Sequence, residues 1–530
     1  MSDLVEIYDT TLRDGTQAAG LSPTVGDKLR VAALLDRLGV HFIEGGWPGA
    51  NPKDDEFFDR ARNELDLASA TLVAFGSTRR PGAVAEDDEQ LRLLADAGTE
   101  VVCIVGKSWL RHVTHALRAS REEGIAMVRE SIEHLLGQGR RVFFDAEHFF
   151  DGYRNEPDFA LAILAAAAEA GAERLVLCDT NGGTLPAEAE QVVGAVLDEF
   201  AVPLGVHFHN DGGCAVANSL AAVGAGAFQV QGCVNGYGER TGNADLCSLI
   251  PNLSLKLGRE TVPAANIELL YPVAHEIAEV MNSPIDPRHP YVGSSAFAHK
   301  AGLHTSGLAR LDGAYEHIEP KLVGNSPKLL FSELMGRSTL LSAAGDRGWD
   351  LDVETAQVVV DRVKELEHAG YQFEAADGSF ELLVRDAMGW EQRFFTVLSR
   401  VVTLHGDERG EPTAVATLRI GLGDEELEVS SGGDGPLHAL DQALRVALEP
   451  VYPELEGVHL TDYKVRDLDS ADGTAARVRV LITTTNGERD WGSVGIHHNV
   501  IEASWQALHD GIVVGLLNAG VEAIPDRPAS

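Results

Sequence analysis

From residue 5 to about 275 the chain alternates short apolar, β-branched runs with stretches whose apolar residues recur at helical spacing. The strand candidates are Val5–Tyr8, His41–Glu44, Thr71–Phe75, Val101–Val105, Arg141–Phe144, Arg174–Cys178, Leu204–Phe208 and Phe228–Val230. Helical patterns such as Val25–Leu38, Gly124–Leu136 and Asp158–Ala170 lie between them. Eight strands with intervening helices predict an α/β fold, a (β/α)8 TIM barrel over residues 1–275. An open doubly wound sheet is the alternative, but it usually has fewer strands, and no G-x-G-x-x-G follows the first strand here.

Residues 276–385 carry helical patterns punctuated at Ser283-Pro284 and Gly345 to Gly348, and they predict helical linker subdomains. From about 390 the rhythm changes. Arg393–Leu404, Ala414–Ile420 and Glu426–Val429 predict strands, and Gly433-Asp434-Gly435-Pro436 opens a helix to Leu448. A second round has strands at Val458–Val465, Ala476–Thr484 and Arg489–Gly495, then a helix from Asn499 to Leu517. Two βββα units predict an α+β C-terminal domain over 386–525.

The polar residues of the first half gather where strands end. They include Asp9-Thr10-Thr11-Leu12-Arg13-Asp14, Glu44-Gly45-Gly46, Asp145-Ala146-Glu147, Asp179-Thr180-Asn181 and His207-Phe208-His209-Asn210-Asp211. Gly232 to Asn243 follows the eighth strand. In a barrel these C-terminal strand ends form one face, so residues distant in sequence converge on one cavity. His207 and His209, two apart on a strand, share a side and can grip a divalent cation. Asp14 can join them, and Asn243 can complete the set. Mixed nitrogen and oxygen donors admit Mg²⁺, Mn²⁺, Zn²⁺ or Co²⁺. Taken singly, each residue has a plainer reading: a cap for Asp14, an ion pair for Glu147, a sharp turn for the glycines.

The formal net charge of −38 disfavours nucleic acid and anionic membrane surfaces as partners. Five cysteines, odd in number and without C-x-x-C spacing, predict reduced thiols and a cytoplasmic location. Met1-Ser2-Asp3-Leu4 lacks the features of a signal peptide, and the most apolar run, Phe159 to Ala172, is a short alanine-rich helix rather than a membrane span.

Asp9-Thr10-Thr11-Leu12-Arg13-Asp14-Gly15, together with His207 to Asp211 and Gly238-Glu239-Arg240-Thr241-Gly242-Asn243, resembles the DRE-TIM metallolyases. That family includes 2-isopropylmalate, homocitrate and citramalate synthases as well as aldol-type lyases. Ala296 to His304 resembles the synthase signature that reaches into the partner subunit's barrel, which implies a homodimer. Tyr315-Glu316-His317-Ile318 and Ser332 to Ser338 resemble the citramalate branch. Thr305-Ser306 departs from the Gln-Asp that follows this histidine in isopropylmalate synthases.

The resemblance implies an acyltransferase that condenses acetyl-CoA with a 2-oxo acid, pyruvate in the citramalate branch, and hydrolyses the thioester. It implies metal ligands Asp14, His207, His209 and Asn243, with Arg13 stabilising the developing alkoxide. Thr180 would hold the substrate carboxylate, and His304 would act as base beside Tyr315 and Glu147. The last domain resembles the leucine-type regulatory domain, which implies an isoleucine effector. Val73, Phe75, Ile104 and Phe144 are candidates to shape the pocket. The rivals are isopropylmalate or homocitrate synthase, a hydroxymethylglutaryl-CoA type lyase, a biotin-dependent carboxyltransferase, and an amino-acid sensor with an inactive barrel.

Overall fold

The computed structural model describes residues 3–299, 315–329, 331–390, 393–406, 413–468, 473 and 475–522. It forms two compact units, Met1–Phe297 with Glu316–Pro327, and Ala298–Tyr315 with Lys328–Ser530. The range 276–385 therefore contributes to both.

In the first unit eight parallel strands close a barrel in sequence order, as the alternating pattern predicts. They are β1 Glu6–Asp9, β2 Phe42–Gly46, β3 Thr71–Ser77, β4 Val101–Lys107, β5 Arg141–Glu147, β6 Arg174–Asp179, β7 Leu204–Phe208 and β8 Gln229–Gly232. Several run one to three residues past their predicted C-terminal ends, because barrel pairing continues there; Lys107 pairs with Glu147 at the β4–β5 rim. The helices pack outside. Val25–Leu38, for example, starts at a capping box in which Thr24 and Asp27 exchange hydrogen bonds.

Strand alternation sorts the side chains into two cores. Tyr8, Phe42, Val73, Phe75, Val101, Cys103 and Phe143 pack inside the barrel. Ile104 and Phe144 face outward, in the layer shared with the helices, so the expectation that they shape the pocket is corrected. Val105, one position on, points in. At the N-terminal end of the strands, Arg174 binds Glu6 through Nε and Nη2 at 3.0 and 2.9 Å, and Gln229 Nε2 donates to the same carboxylate at 3.0 Å. The Arg174 guanidinium also lies over the rings of Phe143 and Phe228. This group is the floor of the barrel.

In the second unit the helices Arg337–Asp346, Val353–His368 and Asp377–Ala387 pack around Phe331 and Phe380, whose rings stack 3.9 Å apart. Two three-stranded antiparallel sheets follow, Thr396–His405, Thr413–Leu422 and Glu425–Gly433, then His459–Asp467, Val478–Thr485 and Asp490–His497. Each is followed by a helix, Pro436–Leu448 or Val500–Asn518, giving the expected repeat of βββα. Ala414, Ala416, Leu418 and Ile420, every second residue of a central strand, are buried.

Candidate active site

The turn after β1 throws two charged side chains over the barrel mouth. Asp9 accepts from Thr11 N at 2.8 Å and from Thr11 Oγ1 at 2.9 Å, and Gly15 N returns to Thr10 O at 3.0 Å. Arg13 and Asp14 are displayed from this loop. His207 ends inside β7 and His209 follows it, their ring centroids 5.1 Å apart. Asn243 arrives from the loop after β8 and forms a bridge with His209, while Asn210 N donates to Gly242 O at 2.9 Å. Gly242 has φ +92°, and a Cβ there would sit 1.9 Å from Gly236 O, so the loop closes this tightly only with glycine.

One donor atom each from Asp14, His207 and His209 lies within 4.8 Å of the others. His207 Nε2 and His209 Nε2 stand 3.4 and 3.5 Å from Asp14 Oδ2, and Asn243 Nδ2 donates to the same oxygen at 2.9 Å. Asn243 Oδ1 is buried without a hydrogen-bond partner. An orphaned amide oxygen beside a buried carboxylate and two imidazoles is a donor set that fits a divalent cation. Burial would raise the Asp14 carboxyl, but Arg13, then His207 and His209, pull it well below the ordinary carboxylate range. Burial, with His207 adding to it, lowers His209 to about 3, so its ring is neutral as a ligand must be.

Arg13 is pinned on three sides. Its Nε donates to Glu44 Oε2 at 2.5 Å, its guanidinium carbon lies 3.8 Å from the Phe75 ring centroid, and Nη1 is 3.5 Å from Asp14. Tyr8 donates to the other Glu44 oxygen at 2.9 Å, and Trp47 meets Phe75 edge-on at 5.3 Å. Thr180 Oγ1 accepts from His148 N at 2.9 Å, which leaves its proton for another acceptor. Glu147 is ion-paired with Lys107. Arg13, Asp14, His207, His209, Thr180 and Glu147 all line one cavity of about 490 Å³, with Phe75, Trp47 and Val105 on its apolar wall.

Val73 lies in the inner cluster. Tyr315 belongs to the second unit and is about half exposed. His304 lies outside the described residues. Glu44 and Asp145 were visible in the sequence only as polar strand ends. Gln231, which bonds His207, carried no signal, because β8 reads as ending at Val230.

The HMGL-like family profile matches residues 4–273, the homocitrate synthase post-HMGL domain-like profile residues 291–370, and the LeuA allosteric (dimerisation) domain profile residues 374–516. The chain is 50% identical to an (R)-citramalate synthase of Streptomyces coelicolor, over 98% of each chain. It is 49% identical to that of Aquifex aeolicus, over 99% of this chain and 100% of the other. A 2-isopropylmalate synthase of Methanocaldococcus jannaschii is 32% identical, over 96% of this chain and 94% of the other. The chain belongs to the HMGL-like family, in its citramalate synthase branch.

Proposed function

We propose that the chain condenses acetyl-CoA with pyruvate and hydrolyses the product to (R)-citramalate and CoA. The observation that carries this reading is the convergence of Arg13, Asp14, His207 and His209 on one cavity of the barrel, with Asn243 hydrogen-bonded to Asp14, in a chain near half identical to (R)-citramalate synthases. A divalent cation held by Asp14, His207, His209 and Asn243 would supply Lewis-acid polarisation of the bound 2-oxo acid.

The protein's own groups do the rest. Thr180 donates a hydrogen bond from its hydroxyl to the 2-oxo acid carboxylate. His304 removes a proton from the acetyl methyl group, assisted by Tyr315 and Glu147. The methyl carbon then bonds to the ketone carbon, and the carbonyl electron pair moves to oxygen. Arg13, immobilised by Glu44 and Phe75, stabilises that growing negative charge without having to reorganise. Protonation of the oxygen and attack of water on the thioester release the CoA thiol.

We infer further that the second unit pairs two chains and binds isoleucine as effector. The supporting feature is an apolar cavity of about 250 Å³ lined by Leu437, Leu440, Val500 and Ile501, with Tyr463 and Ser504 hydrogen-bonded at 2.7 Å beside it. Five free cysteines support a reducing, cytoplasmic setting, and no helix among the described residues is long and apolar enough to cross a membrane.

The test is CoA thiol release from acetyl-CoA with Mg²⁺ or Mn²⁺, using pyruvate, 2-oxoisovalerate and 2-oxoglutarate in parallel. Release with pyruvate alone is expected. Preference for 2-oxoisovalerate would move the chain to the isopropylmalate reading, and no release with any acid would sink the synthase reading.

A further inference from the structure

Beneath the candidate metal ligands lies a buried polar chain that the condensation chemistry does not use. Gln231 sits in β8 with no exposed surface, directly opposite His207 in β7. A buried amide needs partners at both ends, and Gln231 has them. Its Oε1 lies 2.9 Å from His207 Nδ1, and its Nε2 lies 3.1 Å from Asp145 Oδ1. Asp145, on β5, also accepts from Cys103 Sγ at 3.2 Å.

The chemistry fixes which way this chain runs. A carboxylate only accepts, so Asp145 takes the amide N–H and turns the Gln231 carbonyl toward His207. A carbonyl also only accepts, so the His207 proton sits on Nδ1. In the neutral ring Nε2 is then the nitrogen left to face the space shared with Asp14, 3.4 Å away. The neighbouring histidine has no such backing, for His209 Nδ1 is buried without a partner. The two rings are therefore unequal, and His207 is the one whose tautomer the barrel sets.

We propose that Gln231 is a positioning residue, oriented by Asp145, that holds His207 as the Nδ1–H tautomer and so presents Nε2 to the cation. The part of this that concerns a cation rests on the metal reading above; the tautomer does not.

The experiment uses the full chain and two readouts. One is Mn²⁺ affinity, followed by the spin-resonance signal of the free ion. The other is the ring ¹⁵N shifts of His207 in metal-free protein in alkaline buffer, the resonance being assigned by its loss in His207→Asn. Gln231→Met, similar in size but without hydrogen bonds, is expected to weaken Mn²⁺ binding about 10- to 100-fold and to bring in the Nε2–H form. Gln231→Glu, with the new carboxyl protonated towards Asp145 in place of the lost amide donor, keeps an acceptor oxygen facing Nδ1 and is expected to preserve the parent tautomer and most of the affinity. Asp145→Asn, isosteric with the parent, lets the Gln231 amide sit either way and is expected to mix the two tautomers; it keeps the test alive should Gln231→Met not fold. A Gln231 that only fills space would leave the His207 shifts unchanged in Gln231→Met and Asp145→Asn, and that result overturns the proposal. A parent that ignores Mn²⁺ while its tautomer responds as expected would overturn the metal reading and leave the positioning role standing.

Discussion

Asn243 Nδ2 donates to Asp14 Oδ2 at 2.9 Å across 229 residues of sequence, and in doing so leaves its own Oδ1 buried and unbonded. That bond ties the loop after β8 to the loop after β1, and a cation held there would satisfy the orphaned oxygen. Asn243→Ala is therefore expected to weaken Mg²⁺ and Mn²⁺ binding by one to two orders of magnitude. A cation at 100 times its dissociation constant stabilises the folded state by about 2.7 kcal/mol. Chelator should accordingly lower the melting temperature of the parent, and added Mn²⁺ should restore it far more in the parent than in the variant. Equal metal-induced shifts in the two proteins would remove Asn243 from the ligand set.

Arg13 is set apart from a surface arginine by the Glu44 carboxylate and the Phe75 face. A lysine cannot reproduce the planar, multi-donor contact. Arg13→Lys should lower kcat about 10²- to 10³-fold, as expected for a lost stabiliser of transition-state charge. The KM for the 2-oxo acid should rise far less. A variant that changes KM alone would make Arg13 a carboxylate anchor instead.

Asp9 gives the molecule a pH-dependent component of stability. Burial pushes its carboxyl up to about 7 against the pull of its Thr11 hydrogen bonds. The folded value exceeds the unfolded 3.8, so the folded chain holds the proton more tightly. The stabilising contribution is complete below the unfolded value and is lost as pH rises towards about 7. Asp9→Asn removes this titration. The melting temperature of the variant relative to the parent should climb between about pH 4 and pH 7 and level off above that. Parallel melting curves across that range would contradict it.

The regulatory reading is open to a cavity-filling test. Val500 begins the last helix and lines the small apolar cavity of the second unit. Val500→Phe should raise the isoleucine concentration for half-maximal inhibition at least about tenfold, since an overfilled pocket rejects its ligand by a few kcal/mol. Unchanged inhibition would place the effector elsewhere.

The architecture was legible because periodicity reports it directly: strands alternate in twos, helices recur near every fourth residue, and the barrel rule gathers strand ends on one face. Asp14, His207, His209 and Asn243 could be grouped on that basis from the sequence, and the first three lie together with Asn243 bonded to Asp14. Partners on inward-facing strand positions were harder. Glu44 sits among apolar neighbours, and nothing local says that Arg13, 31 residues earlier, folds over it. Gln231 was hidden by one residue of strand length, since an ending at Val230 puts it in a loop with no defined face. Ile104 and Phe144 were misplaced for the same reason, as only the observed register shows which parity points in. Glu147 kept its place at the rim, but its pairing with Lys107 emerged only from the strand alignment.

The Arg174–Glu6–Gln229 group, under an aromatic layer of Tyr8, Phe42 and Phe143, makes the barrel a blind well rather than a tunnel. A molecule that enters from the rim finds no way out through this floor. In such a well a second, larger arrival corks the first, so the sequence of entry is written into the shape. On the proposed reaction the smaller 2-oxo acid would go down first, the bulky thioester would close over it, and the carrier would have to back out before the new acid could go free.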